Sequence, residues 1–229
     1  MNKLFVKICG MTRLEDAELA AGLGASALGF VFWPGSPRYI TPDSAQLIAA
    51  AIPAHVVKVG VFVDQPVDEV ARIMKHVGLD SAQLHGHETP EYCRALNDHY
   101  VDQYVDRYVV SGFSRTPGRP SGRTVIKSIG MTDNGAVTVD EYDPDIVLLV
   151  DAHDPARYGG TGKVVNWDAA REIAATRSTI LAGGLNAANI KLAVRTVQPF
   201  GVDVSSGVES APGLKDPNRL RTFFEALHD

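Results

Sequence analysis

Short apolar runs and longer amphipathic segments alternate along most of this chain. Each apolar run has the length and composition of a single buried strand, and each amphipathic segment has helical spacing. In the first half the predicted strands are Leu4–Ile8, Ala27–Phe32, Val56–Val63 and Ala82–His85. The helices predicted after them are Leu14–Leu23, Pro42–Ala51, Pro66–Val77 and Pro90–Leu96. This regular order favours parallel strands that are joined by helical crossovers.

The second half of the chain continues the same order after an interruption. Its predicted strands are Thr124–Ser128, Asp145–Val150, Ile180–Ala182 and Val202–Val204. Its predicted helices are one that opens at Asn166 or Trp167, then Asn186–Val197, and finally Pro217–Leu227 with Asp216 as its cap. The α/β pattern therefore predicts one (β/α)8 barrel domain over residues 1–229, a fold that typically has about 250 residues.

The first strand indicates which side chains point into the barrel. Leu4, Val6 and Ile8 share one face of this strand while Lys7 and Cys9 lie on the other, so we expect the apolar face to pack against the helices. The same alternation assigns polar side chains to the interior, and these candidates are Lys7, Cys9, Gln83, His85 and Lys127.

Two stretches depart from the regular pattern. Residues 99–123 place Tyr100, Tyr104 and Tyr108 four apart before a loop rich in Gly, Pro, Ser and Arg. We interpret this stretch as a helix extension or insertion that forms either a contact surface or a solvent-exposed excursion. The other is the long loop 152–165, whose Gly159–Lys163 run lacks the spacing of a phosphate-binding P-loop. A loop of this length beside a strand-terminal carboxylate is typical of a functional segment.

Composition narrows the class of protein. The net charge of -5 argues against a general nucleic-acid binder, and no apolar run approaches the ~20 residues that span a bilayer. The two cysteines and seven histidines show neither metal-ligand spacing nor a disulfide framework. We therefore expect a cytoplasmic protein without a metal or cofactor, as a monomer or homodimer, whose partner is a small molecule rather than a nucleic acid or a membrane.

Small residues follow the last two predicted strands. Gly183 and Gly184 end one strand, and Ser205, Ser206 and Gly207 end the next. Exposed backbone N–H groups at such turns can bind a phosphate, and this end of a (β/α)8 barrel commonly does so. Tight turns use the same residues for steric reasons alone.

Two further strand ends carry groups that can transfer protons. Cys9 closes the first strand and Asp151 closes the sixth, and barrel active sites lie at these ends. For this role the pKa of Cys9 must be lowered, for example by Lys7, and the pKa of Asp151 must be raised by burial. A buried structural cysteine and a loop-capping aspartate are the alternatives.

Arg38 and Asp203 are candidates for substrate binding. Arg38 lies in a largely apolar loop near Cys9, where a guanidinium can hold a carboxylate by two hydrogen bonds. Alternatively it is an ordinary surface arginine, and Asp203 is an inward carboxylate that neutralises a lysine.

Several runs together resemble phosphoribosylanthranilate isomerase of tryptophan biosynthesis over nearly the whole chain. The runs are KICGMT at 7–12, LGFVF at 28–32, SPRYI at 36–40, VGVFV at 59–63, QLHG at 83–86, GGTGK at 159–163, LAGGLN at 181–186, GVDVSSGVE at 201–209 and GLKD at 213–216. Each run alone is a modest signal, whereas all of them in this order are highly specific.

The resemblance implies an Amadori rearrangement of N-(5-phosphoribosyl)anthranilate to 1-(2-carboxyphenylamino)-1-deoxyribulose 5-phosphate. It assigns the general base to Cys9 and the general acid to Asp151. The remaining residues that it assigns to substrate are Arg38 for the anthranilate carboxylate, Asp203 for a ribose hydroxyl, and Gly183, Gly184, Ser206 and Gly207 for the phosphate.

Two other functions remain open at this stage. One is a histidine-pathway isomerase acting on a bulkier ribotide, but carboxylates are expected at both catalytic strand ends of such an enzyme, so Cys9 argues against it. The other is a non-catalytic phosphate-binding or assembly protein that uses the tyrosine-rich stretch as its surface.

Overall fold

A computed structural model describes residues 4–101, 124–131, 139–152 and 167–228 of the chain. Eight parallel strands close into a barrel in sequence order, so that the first strand pairs with the last. The strands are β1 Phe5–Cys9, β2 Ala27–Val31, β3 Val57–Phe62, β4 Ser81–Leu84, β5 Thr124–Met131, β6 Val147–Ala152, β7 Thr179–Leu181 and β8 Gly201–Val204. The predicted barrel is confirmed.

Helices surround this barrel in the described ranges. They are α1 Leu14–Gly22, α2 Pro42–Ala51, α3 Val67–Val77, α4 Pro90–Val101, α5 Trp167–Ala174, α6 Ile190–Val197 and α7 Pro217–His228. After β8 the chain forms a short 3₁₀ helix, Ser206–Val208, and an antiparallel pair of strands, β9 Glu209–Ala211 and β10 Leu214–Lys215. None of the helices in these ranges is long and apolar enough to cross a membrane.

Apolar side chains form separate cores on the two faces of the barrel. The outer core packs the strands against the helices and includes Val6, Ile8 and Phe30. The inner core fills the barrel with Phe5, Ala27, Val57, Val59, Ile126, Val147, Leu149, Ile180 and Ala182. The interior is therefore a packed layer of side chains beneath the strand ends, as in other barrels of this type.

Local capping explains where two of the helices begin. The Thr41 side chain accepts a hydrogen bond from the Ser44 N–H, and Pro42 occupies the first position of α2. Asp216 accepts from the backbone N–H groups of Asn218 and Arg219 at the start of α7. The cap at Asp216 agrees with the sequence-based prediction.

The helix α6 begins later than the sequence predicts. It starts at Ile190 rather than Asn186, because Asn186 and Asn189 use their side chains in the preceding turn. The amide of Asn189 accepts from the Asn186 N–H and donates to the Gly184 carbonyl. Local side-chain bonds of this kind compete with the helix and favour a turn.

The prediction that Lys127 points into the barrel was wrong. Lys127 shares a strand face with Val125 and Ile129, which belong to the outer core, whereas Ile126 belongs to the inner one. Its ammonium is buried against the Glu88 carboxylate at 2.7 Å. This buried partner compensates the cost of placing the charge between strand and helices.

Two predicted segments fall mainly outside the described ranges. Helix α4 continues to Val101, beyond the predicted end at Leu96, and residues 102–123 of the proposed insertion lie outside the description. Residues 153–166 of the long loop, including the Gly159–Lys163 run, also lie outside it.

Arg177 holds together the end of the barrel opposite to Cys9 and Asp151. Its guanidinium donates to the carbonyl groups of Val139 and Tyr142 through Nη1, and to those of Asp143 and Ile146 through Nη2. These bonds fix the segment that leads into β6. Because this end carries the N-termini of the strands, we expect Arg177 to serve stability rather than catalysis.

Replacing Arg177 by methionine should lower the free energy of unfolding by about 2–4 kcal/mol, since several carbonyls lose a charged donor. Urea denaturation measures this change, and kcat/KM of the folded protein should stay at the wild-type value. The exposed Arg195 provides the control, and Arg195→Met should change stability by less than about 0.5 kcal/mol. Equal stability of the two variants would contradict the structural role.

Candidate active site

A small cavity opens where the last three strands of the barrel end. Its walls are Asp151 of β6, the turn Ala182–Leu185 after β7, and the stretch from Asp203 to Ser206 at the end of β8. Gly183 and Gly184 in this turn carry no side chain, so their backbone lies at the surface of the cavity. A carboxylate on one side and glycine-rich backbone on the other are thus brought together as the sequence predicted.

Glycine is required at three positions around this cavity. Gly183 and Gly184 have φ angles of 89° and 65°, in the left-handed region that other residues rarely adopt. At Gly207 an added Cβ would lie 1.9 Å from the carbonyl oxygen of Leu185. Gly207 therefore packs the 3₁₀ helix against the turn after β7, while Ser206 lines the cavity beside Gly183 and Gly184.

Cys9 lies beside a buried ion pair that joins β1 to β8. The Lys7 ammonium is completely buried and contacts an Asp203 carboxylate oxygen at 2.9 Å. Both Cys9 and Lys7 also border Gly29 of β2, where a Cβ would lie 2.8 Å from the Cys9 sulfur and 3.1 Å from Lys7 Nζ. Glycine at this position thus leaves room for the thiol and the ammonium to lie side by side.

Burial raises the pKa of the Cys9 thiol above its ordinary value. The Lys7 ammonium acts in the opposite direction, as the sequence predicted, but Asp203 offsets part of its effect and burial outweighs it. Lys7 alone therefore does not give Cys9 the lowered pKa that a general base requires, because burial leaves the pKa of the thiol above its ordinary value.

Asp151 faces the imidazole of His85, whose Nε2 lies 3.7 Å from Asp151 Oδ2. The Gln83 amide nitrogen lies 3.0 Å from His85 Nδ1 and donates to it, so the neutral ring carries its hydrogen on Nε2, toward Asp151. Burial, together with the charges of Lys7 and Lys127, lowers the pKa of His85 to about 4. His85 is therefore a neutral donor beside the carboxyl group.

Arg38 lies at the rim near the end of β1, in the loop after β2. Its backbone N–H donates to the Ser36 hydroxyl, and its side chain passes over Gly10, where a Cβ would lie 2.6 Å from Arg38 Cδ. The guanidinium donates from Nε and Nη2 to the carboxylate of Glu209, with an Nη2–Oε2 distance of 2.6 Å. Arg38 is thus an anchored residue at the mouth of the barrel.

Comparison with known proteins identifies the family. The family model for N-(5'phosphoribosyl)anthranilate (PRA) isomerase matches residues 6–107 and 119–226, which is most of the chain. The chain belongs to the PRA isomerase family. It is an isomerase of tryptophan biosynthesis, so the resemblance inferred from its motifs is confirmed.

Individual PRA isomerases are similar to this chain in sequence and in fold. The N-(5'-phosphoribosyl)anthranilate isomerase of Syntrophus aciditrophicus is 40% identical over 222 residues, which cover 97% of this chain and 86% of the relative. The crystal structure of the Thermus thermophilus enzyme is 39% identical, with a TM-score of 0.80 and 98% of each chain covered. Another solved PRA isomerase, 32% identical with a TM-score of 0.80 and 99% of each chain covered, is a complex with reduced 1-(o-carboxyphenylamino)-1-deoxyribulose 5-phosphate.

The sequence alone assigns no role to three charged or polar residues near this cavity. It predicts His85 only as an inward polar residue, and it gives no reason to select Glu209 or Lys215. The available signal was their place in the QLHG, GVDVSSGVE and GLKD runs.

Among the described residues, no cluster of His, Cys, Asp and Glu side chains could hold a metal ion.

The raised pKa of Cys9 predicts how its alkylation depends on pH. A thiol with a raised pKa forms its thiolate only at higher pH, so the rate of reaction with iodoacetamide should have a midpoint above the ~8.5 of a free cysteine. A Cys93→Ala background leaves Cys9 as the only cysteine. In that background Lys7→Met should raise the midpoint and Asp203→Asn should lower it; shifts in the same direction would contradict this electrostatic account.

Proposed function

We propose that this chain catalyses the Amadori rearrangement of PRA with Cys9 as general base and Asp151 as general acid. The observation that carries the proposal is the position of both groups at the carboxyl ends of strands of one closed barrel. The cavity between Asp151 and the turns after β7 and β8 supports a phosphorylated substrate. The protein would act in the cytoplasm, as a monomer or homodimer, and without a cofactor.

Asp151 would begin the reaction by donating a proton to the furanose ring oxygen. The bond between that oxygen and C1 breaks, and the nitrogen lone pair forms the C1=N bond of a Schiff base. The Asp151 carboxylate produced in this step would face the Nε2–H of His85, a neutral donor that favours the ionised carboxyl group. His85 would thereby assist the transfer without itself changing charge.

Cys9 would then remove the proton from C2, and the C–H electron pair would form the C1=C2 bond of an enolamine as the C=N electrons return to nitrogen. Proton transfer from the C2 hydroxyl and to C1 gives the ketone. Only the thiolate is a base, so the Lys7 ammonium, which opposes the effect of burial on the thiol, is needed for this step.

The other predicted residues would hold the two ends and the middle of the substrate. Gly183, Gly184 and Ser206 present backbone at the cavity wall and would bind the phosphate, with Gly207 allowing the close approach of the two turns. Asp203 would accept from a ribose hydroxyl while it remains paired with Lys7. Arg38 would bind the anthranilate carboxylate.

Loss of either proton-transfer group should reduce turnover more than binding. Cys9→Ala and Asp151→Asn should each lower kcat by roughly 10²-fold or more with a much smaller change in KM. The disappearance of PRA fluorescence measures both constants. Cys93→Ala and Asp43→Asn are the matched controls, since Cys93 lies in α4 and Asp43 is exposed on α2. Normal turnover by either active-site variant would contradict its assigned role.

Arg38→Ala should instead raise KM by roughly 10- to 100-fold, as expected for the loss of charge-assisted hydrogen bonds to a carboxylate. Arg38→Lys should recover only part of this loss, because an ammonium cannot form the two parallel bonds. Arg94, exposed and paired with Glu91 on α4, is the control arginine. An unchanged KM for Arg38→Ala would rule out the proposed carboxylate contact.

A further inference from the structure

Two buried charged residues next to the proposed site have no part in the proton transfers. Glu209 opens β9 and Lys215 closes β10, and the antiparallel register of the two short strands places them opposite each other. The turn between the strands includes Gly213, whose φ of 80° is left-handed and whose N–H donates to Glu209. This hairpin thus places an acidic and a basic side chain next to each other at the rim of the barrel.

Lys215 connects Glu209 to the backbone of Cys9, the proposed base. Its ammonium contacts Glu209 Oε1 at 2.7 Å and donates to the carbonyl groups of Cys9 and Ser205. The side chain of Lys215 is fully buried and that of Glu209 nearly so, at 0% and 4% exposure. An unpaired charge in such a position is strongly unfavourable, so each side chain fixes the other.

Glu209 in turn fixes one edge of Arg38. The carboxylate takes the Nε and Nη2 donors, whereas Nη1 has no hydrogen bond to any of the described residues. A guanidinium has five N–H donors, so the edge formed by Nη1 and the second Nη2 hydrogen remains able to hold a carboxylate. The hydrogen bonds from Arg38 and the charge of Lys215 outweigh burial and lower the pKa of Glu209, which is ionised at neutral pH.

The charges of this cluster match a ligand with one carboxylate. Glu209 neutralises one of the two cations, which leaves one net positive charge among the three side chains. Lys215 is enclosed, whereas Arg38 retains 15% exposure of its side chain. The net charge is therefore available to a ligand at the guanidinium of Arg38.

We propose that Glu209 is a positioning residue, which directs the free edge of Arg38 toward the substrate carboxylate. Lys215 holds Glu209 against the backbone of Cys9, so that the carboxylate end of the substrate and the base share one rigid frame. This inference rests on the proposed role of Arg38 in binding that carboxylate.

A purely structural role makes a different prediction. If the pair only stabilised the hairpin, its loss would lower the melting temperature and leave the KM of the folded enzyme unchanged. A positioning role requires a change in KM that depends on Arg38 and on the substrate carboxylate. The two roles are therefore separated by kinetics on folded protein.

The test is the charge-balanced double variant Glu209→Gln/Lys215→Met, assayed with PRA and with the phosphoribosyl derivative of aniline, which lacks the carboxylate. We expect KM for PRA to rise by roughly 10-fold and KM for the aniline derivative to stay unchanged. Adding Arg38→Ala to the double variant should give the same KM as Arg38→Ala alone. The control Glu91→Gln/Arg94→Met removes an exposed ion pair on α4 and should leave KM for PRA unchanged.

Other results of this experiment would contradict the role proposed for Glu209. An unchanged KM in the double variant, when Arg38→Ala raises it, would overturn the role of Glu209 and leave the proposed function intact. An effect that adds fully to that of Arg38→Ala would also overturn it. An unaltered KM in Arg38→Ala would reject the carboxylate contact and the inference together. Should the double variant not fold, Glu209→Asp retains the charge but shortens the reach, and an unchanged KM there would equally refute the inference.

Discussion

The polar interior of this barrel depends on the ion pair between Lys7 and Asp203. Lys7 lies on the first strand and Asp203 on the last, at the seam where the barrel closes, and the two residues are register partners. A completely buried ammonium needs such a partner to be tolerated. Once the pair is in place, it supplies both the positive charge that favours a Cys9 thiolate and the negative charge that opposes it. The electrostatics of the proposed base therefore follow from barrel closure itself.

The two ends of the barrel differ in role: one carries bonds that stabilise the fold, and the other carries the candidate active site. At the N-terminal end, Arg177 satisfies the carbonyl groups of the segment before β6. At the C-terminal end, ionic pairs such as Lys215 with Glu209 hold loops and side chains in fixed relation to the strand ends. The inner apolar core separates these two layers. Rigid strands with charged groups anchored at one rim suit the proposed mechanism, in which two separate groups transfer protons.

Much of this organisation was predictable because it follows from local pattern. The strand and helix order, the caps at Thr41 and Asp216, and the inward direction of Lys7 follow from alternation and from capping residues. Lys127 was misassigned because Val125 and Ile126 are both apolar, so the alternation in β5 does not define a face. Its true environment depends on Glu88, which reaches it from the loop after another strand.

The positions of Glu209 and Lys215 could not be read from sequence for a related reason. Their pairing depends on the register of a hairpin that is too short to show a recognisable period. It also depends on long-range contacts: Glu209 contacts Arg38, about 170 positions away, and Lys215 contacts Cys9, about 200 positions away. The raised pKa of Cys9 is another property of this kind. Sequence revealed the lysine beside the thiol, but the degree of burial that outweighs it is a property of the folded barrel.

Burial of Cys9 also bears on how the protein withstands oxidants. Peroxide attacks the thiolate far more readily than the thiol, and it must reach the sulfur to do so. Cys9 is 8% exposed and burial raises its pKa, so the sulfur is poorly accessible and its thiolate is disfavoured. The enclosure that opposes ionisation of the proposed base would thus also keep its sulfur reduced.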